Sequence, residues 1–155
     1  MGQVKRVLVT GAAGFLGSHL CDKLKNLGYE VIGIDNMIGG DLDNVPNNIK
    51  FHKIDCCDFK KLNVIMKDID IVYHCAATAH EGLSVFSPIA ISKNNYMATI
   101  TVISAAINNK VKRIIYCSSM ARYGDQPTPF TEDMTPKPVD PYGISKVAGE
   151  DVLKN

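Results

Sequence analysis

The chain has 155 residues, 46% of them hydrophobic and 21% charged, the profile of an ordinary globular protein with room for one domain around one core. Seventeen basic residues against sixteen acidic ones leave a net charge of +1, which excludes an overall field for nucleic acid or an anionic membrane surface. The five cysteines are odd in number and lack C-x-x-C spacing, so they read as reduced thiols and no metal site is expected. No apolar run approaches the ~18 residues of a membrane span, and Met1 to Lys5 lead into a strand instead of a secretory segment, so the cytoplasm is the expected compartment.

Arg6 to Thr10 is a short apolar run closed by glycines, as in a buried parallel strand. From Gly14 to Leu27, Phe15, Leu16, Leu20, Leu24 and Leu27 recur at helical spacing, and Gly28 stands where a helix-ending glycine belongs. The alternation repeats, with strands predicted over 29–35, 49–55, 69–74 and 113–118. Helices are predicted over 59–67 and, as one long stretch, from about Pro88 to Asn109. Four prolines between Gly124 and Asp140 make that segment a surface loop. Asp140-Pro141 then supplies an N-cap and a first-turn proline for a last helix. Strand, helix, strand in this rhythm predicts an α/β fold, a doubly wound Rossmann-type parallel sheet. The 88–109 helix is apolar on more than one stripe (Ile89, Ile91, Tyr96, Met97, Ile100, Val102, Ile103, Ala106, Ile107), which points either to burial within a larger protein or to a homodimer interface.

Thr10-Gly11-Ala12-Ala13-Gly14-Phe15-Leu16-Gly17 lies between the first strand and its helix. Glycines there allow a tight turn, approach of a pyrophosphate to the backbone and close helix packing, while the helix start supplies N–H donors and positive potential. Asp35 ends the second strand 18 residues after Gly17, near the spacing at which a carboxylate accepts the adenosine ribose hydroxyls. The next residue is Asn36 and not an arginine, so a 2′-phosphate has no partner and NAD is favoured over NADP. The other reading of Asp35 is a loop-entry acid.

Tyr142 and Lys146 are four residues apart on the last helix, hence on one face. Oxidising a carbinol needs a base, and free tyrosine, with a pKa of about 10, needs its phenolate stabilised to serve at neutral pH. A nearby ammonium and the helix N-terminus both do this. Cys117-Ser118-Ser119 closes the fifth strand at its C-terminal end, the edge where parallel sheets present active sites. From there Ser119 is placed to hydrogen-bond the reacting oxygen. Y-x-x-x-K alone also describes a surface pair, and two serines also suit a turn.

Together these residues resemble the extended short-chain dehydrogenase/reductases, the NAD-dependent epimerase/dehydratase family. The resemblance runs from Val4 to the last residue, through T-G-A-A-G-F-L-G at 10–17, Asp35-Asn36, Asp55-Cys56, His74-Cys75-Ala76-Ala77, Asn95-Tyr96-Met97-Ala98-Thr99, Ser118-Ser119, and Tyr142 with Lys146. It implies that the cofactor is held by Gly11, Ala13, Gly14, Phe15, Leu16, Gly17, Asp35 and Asn36, with Asp55 and Cys56 near adenine. Ala76 and Ala77 let the backbone pass close to the cofactor, and Asn95 supports the active-site network. It also implies that Ser119, Tyr142 and Lys146 are catalytic, the last two touching NAD as well, and that His74 is structural.

The segment Ser118 to Gly124 resembles S-S-x-x-x-Y-G of nucleotide-sugar epimerases, which typically act on a UDP-hexose. Met120 and Ala121 stand where dehydratases of the family carry two acids. Family members are about twice this length, so the resemblance implies a chain truncated before its C-terminal substrate domain and inactive by itself. A decarboxylase or reductase of the same family, or a dinucleotide-binding module without turnover, are the alternatives.

Overall fold

The computed structural model describes residues 5–155; the predicted lead-in from Met1 to Val4 lies outside them. Five parallel strands form one sheet: β1 (Arg6–Thr10), β2 (Glu30–Asp35), β3 (Lys50–Lys53), β4 (Ile71–His74) and β5 (Arg113–Tyr116), in the order β3-β2-β1-β4-β5. The chain winds outward first to one side of β1 and then to the other. The reversal therefore falls between β1 and β4, where Thr10 is paired with His74 at the carboxyl ends of both strands. In open parallel sheets that crevice is where ligands bind.

β1 is central, and its residues Val7, Leu8, Val9 and Thr10 are fully buried, which is why it reads as a continuous apolar run. Helix α1 (Phe15–Asn26) covers it with Cys21 and Leu24. Gly28 follows at φ +85°, as predicted for the residue that ends this helix. Helix α2 (Phe59–Ile65) is capped by the Asp58 side chain, which accepts the Lys61 N–H at 3.1 Å. The strands are shorter than the apolar runs suggested, because each ends where its neighbour in the sheet ends. β3 thus ends at Lys53, although the run continues to Asp55.

The described residues fall into two compact units, 5–77 with 101–117 and 78–100 with 118–155. The first unit holds the whole sheet with α1 and α2. The second holds α3 (Glu81–Ser84), α4 (Pro88–Ile91), a π-helical turn (Ser92–Met97), the start of α5 (Ala98–Asn108), a 3₁₀ turn (Met120–Tyr123) and α6 (Pro141–Lys154).

The predicted long helix at 88–109 is thus three consecutive segments, preceded by the short α3, which hydrophobic spacing did not reveal. Its wide apolar surface divides as well. Ile91, Ala98, Val102, Ile103 and Ala106 are buried, whereas Ile89, Met97 and Ile107 are exposed. The 124–140 segment is irregular, as its prolines require. It is tied back to the preceding 3₁₀ turn, where Lys137 N–H donates to the Arg122 carbonyl at 2.8 Å. Among the described residues no helix is long and apolar enough to cross a membrane, no group of three or more His, Cys, Asp or Glu is placed to hold a metal, and no disulfide forms.

Candidate functional site

In the first unit the glycine turn is built by exclusion of side chains. Gly11 has φ +71°, and a Cβ on it would lie 2.8 Å from the Ala76 nitrogen; a Cβ on Gly17 would lie 2.0 Å from the Gly11 carbonyl oxygen. Only hydrogen atoms allow β4's exit to pass over the turn and α1 to start against it. Gly14 is the N-cap of α1 and has no side chain to cap it, so the N–H donors of the first helical turn are left for an anion. Phe15 and Leu16 expose their side chains, at 83% and 54%.

Asp35 is buried, and both of its oxygens are engaged: Oδ2 accepts the Ala13 N–H at 3.1 Å and Oδ1 the Met37 N–H at 2.8 Å. Each oxygen retains a second acceptor site, so the carboxylate is fixed in place and still able to take ribose hydroxyls. Asn36 turns the following loop by accepting the Ile38 N–H at 3.1 Å.

The Ala13 carbonyl receives the Asp41 N–H at 3.0 Å and the Asn44 Nδ2 at 3.1 Å. Asp41 and Asn44 thus buttress the turn from more than 25 residues away, and no local pattern signals them.

Thr10 and His74 are joined by a 2.7 Å hydrogen bond to Nδ1, while Thr10 Oγ1 also accepts the Ala76 N–H at 3.1 Å. The threonine hydroxyl thereby fixes the start of the Ala76-Ala77 stretch, and His74, stacked on Tyr116 at 5.7 Å, is structural in this arrangement. Asp55 accepts the Cys57 N–H at 2.8 Å. The Cys56 thiol is pushed up to about 12, first by burial and then by the adjacent Asp55, so it is a neutral packing group and not a nucleophile.

In the second unit, Asp140 caps α6 by accepting the Gly143 N–H at 2.8 Å, and Pro141 occupies the first turn. Tyr142 and Lys146 are 5% and 3% exposed. The ammonium lies 5.7 Å from the centroid of the tyrosine ring, over its face, where the ring's negative potential attracts a cation. Ser119 does not end β5, which stops at Tyr116. It is instead the N-cap of the 3₁₀ turn, its Oγ accepting the Ala121 N–H at 3.1 Å. The expected strand ending gave way to a capped turn because the serine hydroxyl satisfies a main-chain donor locally. That bond uses an acceptor site of Ser119, whose O–H proton can be donated elsewhere.

Asn95 is 2% exposed and grips the main chain of Thr78, with Oδ1 accepting the Thr78 N–H at 2.7 Å and Nδ2 donating to the Thr78 carbonyl at 3.3 Å. It sits in the π-helical turn, a distortion that frequently accompanies function. It thereby fixes the main chain at Thr78.

The model of the NAD dependent epimerase/dehydratase family matches residues 7–155. A putative UDP-glucose 4-epimerase of Methanocaldococcus jannaschii is 34% identical over 96% of this chain and 50% of its own length. Among solved structures, a UDP-N-acetylglucosamine 4-epimerase from Methanobrevibacter ruminantium M1, in complex with UDP-N-acetylmuramic acid, superposes with TM-score 0.92 at 37% identity, covering 99% of this chain and 50% of the other. A UDP-glucose 4-epimerase from Thermus thermophilus, in complex with NAD, gives TM-score 0.92 at 33% identity over 96% of this chain and 50% of its own. The chain spans about half the length of these relatives.

Proposed function

The chain belongs to the NAD-dependent epimerase/dehydratase family, and from that premise we propose that it carries the cofactor-binding and catalytic residues of a nucleotide-sugar 4-epimerase whose substrate is a UDP-hexose. Relatives with that activity by name support the substrate class. The observation that carries the reaction is the burial of Tyr142 and Lys146 together on one face of α6. Lysine is among the residues least often fully buried, and a buried ammonium over a phenol is a device for stabilising phenolate.

NAD fits the residues present. Gly11, Gly14 and Gly17 leave the backbone open to a pyrophosphate, the uncapped start of α1 suits its charge, and Asp35 with Asn36 suits an unphosphorylated ribose. When bound, NAD supplies a reversible hydride acceptor for the sugar C4. Tyr142, held as phenolate by Lys146, takes the proton of the C4 hydroxyl and becomes phenol, and the Ser119 O–H hydrogen-bonds the C4 oxygen as it becomes a carbonyl. The 4-keto sugar then presents its opposite face, and Tyr142 returns the proton to the C4 oxygen. Met120 and Ala121, with no exchangeable proton, support epimerisation over dehydration.

The complete open reading frame carrying residues 1–155, incubated with UDP-glucose and NAD, is expected to form UDP-galactose. Tyr142→Phe is expected to lower the rate by roughly 10²–10⁴-fold. Failure to convert any nucleotide-hexose, with NAD bound, would leave a dinucleotide-binding module without turnover as the better reading.

A further inference from the structure

Tyr142, Lys146 and Glu150 follow one another at four-residue spacing on α6, so they share one face of the helix. The proposed reaction uses the first two. The third is unusual for a glutamate: its side chain is only 15% exposed, and both of its oxygens are engaged by the segment that carries Ser119. Ser118 Oγ donates to Glu150 Oε1, and Arg122 Nη2 lies 2.9 Å from Oε2. The exposed Lys154 adds a looser contact to Oε2 at 3.6 Å. The residue just before Ser119 and the residue three after it are therefore tied to one carboxylate.

The same segment meets α6 a second time near Tyr142. A Cβ on Gly143 would lie 2.7 Å from the Ala121 carbonyl oxygen and 3.0 Å from the Pro138 Cβ, so the helix backbone rests directly on the turn that Ser119 caps. Gly143 and Glu150 are separated by seven residues, roughly 10 Å of helix rise. One mounting point leaves a turn free to swivel; two at that separation fix its angle as well as its distance. Arg122 is held from its other side too, lying over the Tyr123 ring at 4.9 Å, with that ring stacked on Phe130 at 4.9 Å.

We infer that Glu150 is a positioning residue: by bonding Ser118 and Arg122 it holds the Ser119 hydroxyl in register with the Tyr142–Lys146 face. The inference rests on the catalytic reading of Ser119 given above. A surface ion pair does not account for the arrangement, because such pairs are solvent-exposed and contribute little. Here both partners are under one-fifth exposed, and the serine bond adds a neutral donor to the same carboxylate.

The test is a double-mutant cycle in the complete reading frame, with Glu150→Ala, Glu150→Gln, Ser119→Ala and the combined variants assayed for kcat, KM and NAD affinity. Glu150→Ala is expected to lower kcat by roughly 10–100-fold, the scale of a small misplacement, while KM and the NAD Kd stay within about twofold. Glu150→Gln, which keeps an oxygen and the side-chain length, is expected to lose less.

In the Ser119→Ala background, removing Glu150 is expected to cost less than about twofold more, because the group it positions is gone. If Glu150→Ala does not fold, Glu150→Gln carries the same cycle. Equal losses from the Glu150 change with and without Ser119 overturn the positioning role alone. A Ser119→Ala variant with wild-type kcat overturns the assignment of Ser119 itself.

Discussion

The Asp35 carboxylate accepts the Ala13 N–H at 3.1 Å, so the acid that ends β2 is bonded to the glycine turn that follows β1. One side chain thereby ties the strand end to the turn, so the ribose acceptor and the pyrophosphate cradle proposed above depend on each other.

Asp35→Ala removes a charged acceptor and leaves the N–H groups of Ala13 and Met37 without it. Hydrogen bonds to charged groups contribute about 1.5–3 kcal/mol, so NAD affinity is expected to fall roughly 10–100-fold. NADP, no longer repelled, is expected to lose less. Calorimetric titration of the wild-type and variant chains with both cofactors measures this.

Two glycines separate packing from backbone strain. Gly17→Ala places a methyl 2.0 Å from the Gly11 carbonyl oxygen, and overpacking of this kind costs about 1–3 kcal/mol. It is expected to displace α1 from the turn and abolish NAD binding. Gly28→Ala meets nothing within 4 Å but sits at φ +85°, so it is expected to cost about 1–2 kcal/mol with NAD affinity unchanged. Urea unfolding beside calorimetry distinguishes the two.

The division between what local pattern reveals and what it hides is visible in these residues. The placement of Gly11, Gly17, Asp35, Asp140, Tyr142 and Lys146 was legible because it depends on neighbours in the chain: a turn, a strand end, a cap, one helical face. The Asn95 grip on Thr78, the Asp41 and Asn44 support of Ala13, and the Glu150 bonds to Ser118 and Arg122 join residues 17 to 32 positions apart. No periodicity announces them. The helix spacing from 88 to 109 revealed the apolar stripe but not the π-helical turn inside it, since one extra residue per turn leaves composition unchanged.

Asn95→Ala frees both the N–H and the carbonyl of Thr78 in a half-buried place. Leaving such groups unsatisfied costs about 1–3 kcal/mol each, so a lower urea midpoint is expected. Because Thr78 follows Ala77 directly, NAD affinity is expected to weaken with it. Unchanged affinity at a lowered midpoint would restrict Asn95 to a structural part.

Burial pushes the thiols of Cys21 and Cys56 up to about 12, with Asp22 and Asp55 respectively adding to the effect. The unfolded chain ionises near the ordinary value of 9.0, whereas the folded chain keeps both protons. The unfolded state therefore binds fewer protons between pH 9 and 12, and stability falls as pH rises through that window, being fully present below it. Urea midpoints from pH 8 to 11 are expected to show the decline. Iodoacetamide at pH 8.5 is expected to leave both residues unmodified in the folded chain, as read by mass spectrometry.

The central claim, reversible oxidation at the sugar C4 on a tightly held cofactor, is tested most directly by isotope. UDP-galactose deuterated at C4, incubated with the complete reading frame, is predicted to give UDP-glucose that retains deuterium at C4. UDP-glucose in which that deuterium has been replaced by solvent hydrogen, or the absence of UDP-glucose from an NAD-bound protein, would contradict the account.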